Sequence, residues 1–190
     1  MSSIRLFILG SLAERGPMHG HALRLLADEE HIDDWADVSP GAIYGAIKRL
    51  AAEGLIDAVR LEREGHYPER QVYAISEAGR LSLSAIRVEA LETIVHRPDP
   101  FDLAMARLGP ENLDDLIGIV EARLAEFRAR IETEELRQTR IAHFLTLTEA
   151  RVIRHGIHRL RAEVAFHEEL LAALPEIIAD ETARKAASDD

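Results

Sequence analysis

The chain has 190 residues, of which 47% are hydrophobic and 30% charged, enough for one or two packed domains and unlike the composition of a disordered segment. Its formal net charge of -11 at pH 7 excludes unspecific attraction to nucleic acid unless the cations gather on one face. The absence of cysteine excludes disulfides, thiolate metal ligands and thiol nucleophiles.

The opening stretch MSSIRLFILGSLAERG is too short and too soon charged for a signal peptide, and no apolar run approaches a membrane span, so a cytoplasmic location with no membrane partner is expected. From Ile4 to Leu12 nearly every residue is apolar, which predicts a first helix buried on most sides and stopped at Gly16-Pro17. A second helix is expected from about Gly20 to Glu30, with Leu23, Leu26 and Ala27 at helical spacing. HIDDWADV reads as a turn-prone segment in which Trp35 plugs the domain core or the crevice between domains. Ser39 is expected to cap a third helix, with Pro40 at its first position and Gly54 just past its end. Ile56 to Glu62 and Gln71 to Ile75 are rich in β-branched and aromatic residues and are joined by EREGHYPER, a hairpin pattern. Ser76 then caps a fourth helix whose apolar positions include Leu83, Ile86, Leu91 and Ile94, and HRPDP marks a boundary. Helix, helix, helix, hairpin is the order of a winged helix-turn-helix, so residues 1–95 are expected to form a DNA-binding domain with a small β-hairpin wing.

Residues 96–190 are expected to be an α-helical dimerisation domain, making the fold class mainly α. A short helix from roughly Asp99 to Leu108 precedes a long one from about Asn112, in which Leu113, Ile117, Val120, Leu124, Phe127 and Ile131 step by four and three. After a Thr146/Glu149 capping-box pattern, Ile153, Ile157, Leu160, Val164, His167, Leu171 and Leu174 repeat that step until Pro175, with a frayed tail after Ala179. At 1.5 Å per residue each long helix spans on the order of 40 Å. A second copy of the chain is the expected partner for these seams, and an intramolecular antiparallel pair is the alternative.

Rotating the third helix by 100° per residue places Ile43, Ala46, Ile47, Leu50 and Ala51 on one side and Gly41, Tyr44, Gly45, Lys48, Arg49 and Ala52 on the other. Small residues let a helix backbone approach a surface closely, Lys48 and Arg49 supply cationic donors, and Tyr44 supplies a hydroxyl on a flat ring. Ser39, Pro40 and the free N–H groups of the first turn stand at the positive end of the helix dipole, which suits a phosphate. Arg63, His66 and Arg70 flank the wing turn, where a wing meets the DNA backbone or minor groove, with Glu62, Glu64 and Glu69 as acidic neighbours. The bland reading is a capped helix with a solvated Lys-Arg pair, and the rival function is a winged-helix adaptor that binds only protein.

The stretches LGSLAERGPMHGHAL, VSPGAIYGAIKRLAAEGLI and EREGHYPERQVYAISEAGR together resemble the PadR family of transcriptional regulators, over about the first half of the chain. The resemblance implies a winged helix-turn-helix followed by a helical region that pairs two subunits, sequence-specific binding of double-stranded DNA, and commonly repression. It places Ser39, Gly41, Tyr44 and Lys48 at the groove and Arg70 on the wing. Two departures from the family pattern are His21, where a tyrosine is usual, and the wing sequence GHYPER in place of a more basic turn. Relief by aromatic compounds, common in the family, makes Phe7, Trp35 and Phe101 candidate lining residues for a small aromatic effector.

The remaining chemistry is sparse. No nucleophile elbow, phosphate loop, HExxH or paired-carboxylate pattern stands in a catalytic setting, so neither an enzyme nor a cofactor is expected. Of the nine histidines, His19 and His21 would point to different faces of a helix, which suits a helix-start or phosphate role better than shared metal ligation. His155 and His158 read as a solvated pair. His167 occupies a seam position, read first as a packed, hydrogen-bonded side chain and alternatively as one whose protonation would loosen the helix pairing.

Overall fold

A computed structural model describes residues 3–63, 65, 68–96 and 98–187 and divides the chain into two compact units, Met1–His96 and Arg97–Asp190. The first unit runs α1 (Ser3–Arg15), β1 (Met18–His19), α2 (Gly20–Glu29), α3 (Ile32–Trp35), a 3-10 turn (Pro40–Ala42), α4 (Ile43–Ala52), β2 (Ile56–Glu62), β3 (Arg70–Ile75) and α5 (Glu77–Glu92). The expected order of helices and hairpin holds, with α4 as the expected third helix. Ile8, Leu9 and Leu12 of α1, Leu23 of α2 and Ile43 and Leu50 of α4 are fully buried against one another. At about 1.5–3 kcal/mol for each such side chain, this cluster is the main force assembling the unit.

The sheet is antiparallel in the order β1-β3-β2, with Met18 opposite Tyr73, Ile56 opposite Ile75 and Glu62 opposite Arg70. The edge strand β1 was not foreseen, because two residues are too short to show alternation and its pairing is imposed by β3. Neither was α3. Its Ile32, with Val38 after it, fills the core place expected for Trp35, which instead lies 54% exposed with its indole N–H donating to the Glu30 carbonyl at 3.0 Å. Gly54, at φ +70°, makes the left-handed turn from α4 into β2. Arg5 of α1 clasps Glu53 at the end of α4 through two hydrogen bonds of 2.9 and 2.6 Å, and that contact holds the Glu53 carboxyl below its usual range.

Ser76 caps α5 as expected, its hydroxyl accepting from the Gly79 N–H at 3.0 Å. Leu83 and Ile86 pack on the core, but Leu91 and Ile94 are 87% and 95% exposed. The helix outruns the core it lies on and ends at Glu92, so the apolar spacing overstates the buried face.

The second unit contains α6 (Pro100–Met105), a 3-10 turn (Pro110–Asn112), α7 (Leu116–Ile141), a second 3-10 turn (Ala142–Phe144) and α8 (Leu147–Ala186). Here α7 and α8 pack antiparallel within one chain, as the advancing pairs Arg128–Glu168 and Glu135–Arg161 show. The partner that the sequence assigned first to a second copy is thus supplied intramolecularly along this line. Leu116, Val120 and Leu124 form the α7 seam, whereas Ile117 is 42% exposed. Leu113 sits ahead of the helix, so its step of four to Ile117 never occurs on one continuous helix. The Thr146/Glu149 capping box is present. The helix does not stop at Pro175, nor does the chain fray after Ala179: α8 continues to Ala186. Proline removes one backbone donor, and the packing of Leu174, Ile177 and Ile178 on the α7 core offsets that loss.

Candidate nucleic-acid interface

The two sides of α4 separate as the 100° rotation requires. Ile43, Ala46, Ile47 and Leu50 are buried, Tyr44 is 47% exposed, and Lys48 and Arg49 are exposed. Most other arginines of this unit are tied to carboxylates: Arg5 to Glu53, Arg15 to Glu30, Arg24 to Asp28, Arg60 to Glu62 and Arg87 to Glu14. Among the described residues, Lys48, Arg49 and Arg63 make no ion pair. Desolvating Lys48 or Arg63 against phosphate breaks no ion pair among the described residues, whereas Arg49 already helps to hold the Glu53 carboxyl low.

The entry to α4 differs from expectation. Ser39 makes no side-chain cap, because the chain enters through a 3-10 turn closed by the Ala42 N–H donating to the Ser39 carbonyl at 2.9 Å. Pro40 has no N–H to offer, and α4 proper starts one turn later with Ala42 as its N-cap. The Ser39 side chain and Gly41 are exposed at this end.

Across from α4 lies the start of α2. His19 is its N-cap, its Nδ1 accepting from the Ala22 N–H at 2.9 Å. Being extended rather than helical, His19 turns its ring onto that of His21, with centroids 6.1 Å apart and planes at 27°. The two therefore do not diverge as helical spacing implied. Gly20 is where α2 touches α4: a Cβ there would stand 3.0 Å from Tyr44 Cε1 and 3.1 Å from Ile47 Cδ1. The result is a cleft of about 240 Å³ lined by Gly20, His21, Tyr44, Ile47, Lys48, Arg70, Gln71 and Tyr73. Arg70 also borders an adjoining cleft of about 260 Å³ with His19, Glu62 and Arg63. Of the expected wing residues, Arg63 follows β2 and Arg70 opens β3, while His66 and its neighbour Tyr67 lie outside the described residues.

Gln71 and Tyr73 were missed. Their alternation on β3 was a legible signal, but it pointed to a hairpin without showing that the hairpin lies beside α4.

The effector candidates stand in two different units. Phe7 packs against the first core and Trp35 is on that unit's surface. Phe101, in the second unit, lies 4.2 Å below the Arg123 guanidinium and 5.3 Å from the His167 ring. His167 is 1% exposed; its Nδ1–H donates to the Glu163 carbonyl at 2.8 Å, and its Nε2 accepts from Arg123 Nε at 3.1 Å. Arg123 in turn donates to Asp99 at 2.8 Å. The Phe101 N–H that Asp99 accepts at 2.9 Å, together with Arg123, holds the Asp99 carboxyl below its usual range.

Because the folded-state pKa of Asp99 lies below the unfolded value, its stabilisation is complete above the unfolded pKa and disappears as pH falls through the folded one. Asp99→Ala is therefore expected to cost about 1 kcal/mol at neutral pH, as for other N-caps, in urea unfolding. The gap to the parent should close on acidification through that lowered range. A gap independent of pH would mean that the carboxylate charge does not matter.

Among the described residues no cluster of three or more histidine or acidic side chains is arranged to hold a metal, and no helix is long and apolar enough to cross a membrane. Residues 8–85 match the model of the transcriptional regulator PadR-like family. Among curated proteins none matches the chain. Bacillus subtilis PadR in complex with operator DNA is 20% identical, with a TM-score of 0.70 over 92% of this chain and 98% of that one. The same protein in complex with p-coumaric acid is 17% identical, with a TM-score of 0.69 over 92% of this chain and 99% of that one. The PadR-like transcriptional regulator BC1756 from Bacillus cereus is 20% identical, with a TM-score of 0.64 over 91% and 98%. Residues 8–85 are thus similar to the PadR-like transcriptional regulators, and the chain shares the fold of the PadR structures.

Proposed function

We propose that the chain is a cytoplasmic, effector-responsive repressor that binds a pseudo-palindromic site on double-stranded DNA as a homodimer, and that it catalyses no reaction. The observation that carries this reading is the α4 face: Tyr44 and Lys48 are exposed beside small residues, and Lys48 and Arg63 make no ion pair among the described residues of a chain with net charge -11. Residues 1–95 are the DNA-binding domain, with Ser39, Pro40, Gly41, Tyr44, Lys48 and Arg49 entering the major groove and Arg63, His66 and Arg70 serving the wing. Residues 96–190 are the dimerisation domain and set the two α4 helices about 34 Å apart, one helical turn of the duplex. Ile117, Leu136 and Leu147 of α7 and α8 remain exposed within one chain, apolar surface that a second copy would cover. The operator and p-coumaric acid complexes of Bacillus subtilis PadR support a DNA partner and a small aromatic effector, for which Phe7, Trp35 and Phe101 are the candidate lining residues.

The net charge favours one other reading, a protein-binding adaptor. A salt titration separates them. Phosphate neutralisation makes log affinity fall linearly with log salt, losing roughly 0.9 per phosphate contact, and an adaptor shows no duplex binding to titrate. Sedimentation at the same protein concentrations tests the homodimer, and a monomer throughout would overturn that part.

A further inference from the structure

Resting on the DNA-binding reading, we propose that His21 is a proton-linked contact to a backbone phosphodiester, so that DNA binding takes up a proton and tightens as pH falls. Among the described residues, the cleft it shares with α4 and β3 is lined by no carboxylate. In a chain with 34 acidic and 23 basic residues, that composition suits an anion. Around the opening, the Tyr44 hydroxyl, the Lys48 ammonium and the His21 ring make no hydrogen bond among the described residues, so all three remain available as donors. Arg70 of β3 also borders the cleft and has a partner of its own.

The geometry is held from behind. Gly20 lets α2 press against the Tyr44 ring, and His19, locked as N-cap through its Nδ1, braces the His21 ring from one side. A phosphate seated among Lys48, Arg70 and His21 favours the imidazolium, because an opposite charge within a few ångströms stabilises the protonated ring. Among the described residues, the titratable and charged groups around it are His19, Tyr44, Lys48 and Arg70, while Glu62 lines the adjoining cleft with His19, Arg63 and Arg70. Proton uptake on binding fixes the sign: affinity is high on the acidic side of the imidazole range and lost as pH rises through it.

The test uses the full chain and a duplex that this protein enriches from a random-sequence pool, with affinity measured at constant ionic strength from about pH 6 to about pH 8. The parent is expected to weaken roughly tenfold across that range, the cost of about one linked proton partly released. His21→Gln is expected to bind at about the parent's high-pH affinity throughout. His19→Asn keeps a cap acceptor and removes the other nearby imidazole, and it should retain the parent's pH dependence. In parallel, the His21 ring resonance, assigned by its loss in His21→Gln, should move on adding the duplex and stay in place with inorganic phosphate at equal phosphate concentration. If His21→Gln weakens with pH as the parent does, or if His19→Asn alone abolishes the dependence, the assignment to His21 is overturned. Equal movement with inorganic phosphate would make the cleft a free-anion site. Failure of the parent to enrich any duplex would instead overturn the DNA-binding reading itself.

Discussion

Lys48→Ala is expected to weaken duplex binding about tenfold at moderate salt and to reduce the salt slope by about one, the signature of a lost phosphate contact. Tyr44→Ala should cost more, about 2–3 kcal/mol in binding, because the ring packs on the α2 start at the exposed side of α4 and carries the only hydroxyl of that helix. Neither substitution touches the core, since the buried side of α4 is Ile43, Ala46, Ile47 and Leu50. Circular dichroism and the unfolding midpoint should therefore stay close to the parent while electrophoretic or fluorescence titration with the duplex shifts. Parental affinity in both variants would remove α4 from the groove. A matching loss of stability would place the effect in folding instead.

Gly79→Ala is expected to be the most destabilising small substitution in the first unit. A Cβ at Gly79 would stand 2.0 Å from the Leu55 carbonyl oxygen and 2.8 Å from Ile75 Cγ1. That carbonyl accepts the Ser76 N–H at 3.1 Å, and the Ser76 hydroxyl donates to the Gly54 carbonyl at 2.7 Å. One methyl group thus lifts the α4–β2 turn off the first turn of α5, adding overpacking to broken hydrogen bonds for about 3 kcal/mol. For a unit of this size the unfolding midpoint should fall by roughly 15 °C. Gly118→Ala is the contrasting case: nothing lies within 4 Å of where its Cβ would stand, inside α7. It should gain about 0.5–1 kcal/mol, since glycine is a poor helix former. A Gly79→Ala midpoint within a degree or two of the parent would show that the turn yields without loss.

Much of the first unit was legible because its signals are local. Ser76 ahead of a helix, Gly54 after one, and the separation of Ile47 and Leu50 from Tyr44 and Lys48 each follow from a few neighbouring residues. What escaped depends on distant partners. The two-residue strand at Met18 exists only because β3 offers it an edge, and Trp35 stays outside because Ile32 and Val38 reach the core first. Ser39 looked like a cap, but a serine before proline and glycine also suits a 3-10 entry, and the two differ by one backbone hydrogen bond. In the second unit the four-three spacing found both long helices and misjudged their ends. Periodicity reports which residues share a face, without saying how far the opposing surface extends, so Leu91 and Ile94 were grouped with Leu83 and Ile86, and Pro175 was read as a stop. The cleft around His21 was the hardest feature to read, since it needs α2, α4 and β3 placed together.

The arginines that are clasped by neighbouring carboxylates affect how the molecule would meet a duplex as well as how it folds. Those pairs cancel much of the first unit's positive charge, while Lys48 on the exposed side of α4 keeps a cation without an ion pair among the described residues. Lingering on unrelated sequence would then be brief, and the search for a cognate site would proceed by short hops through solution rather than long glides along the helix.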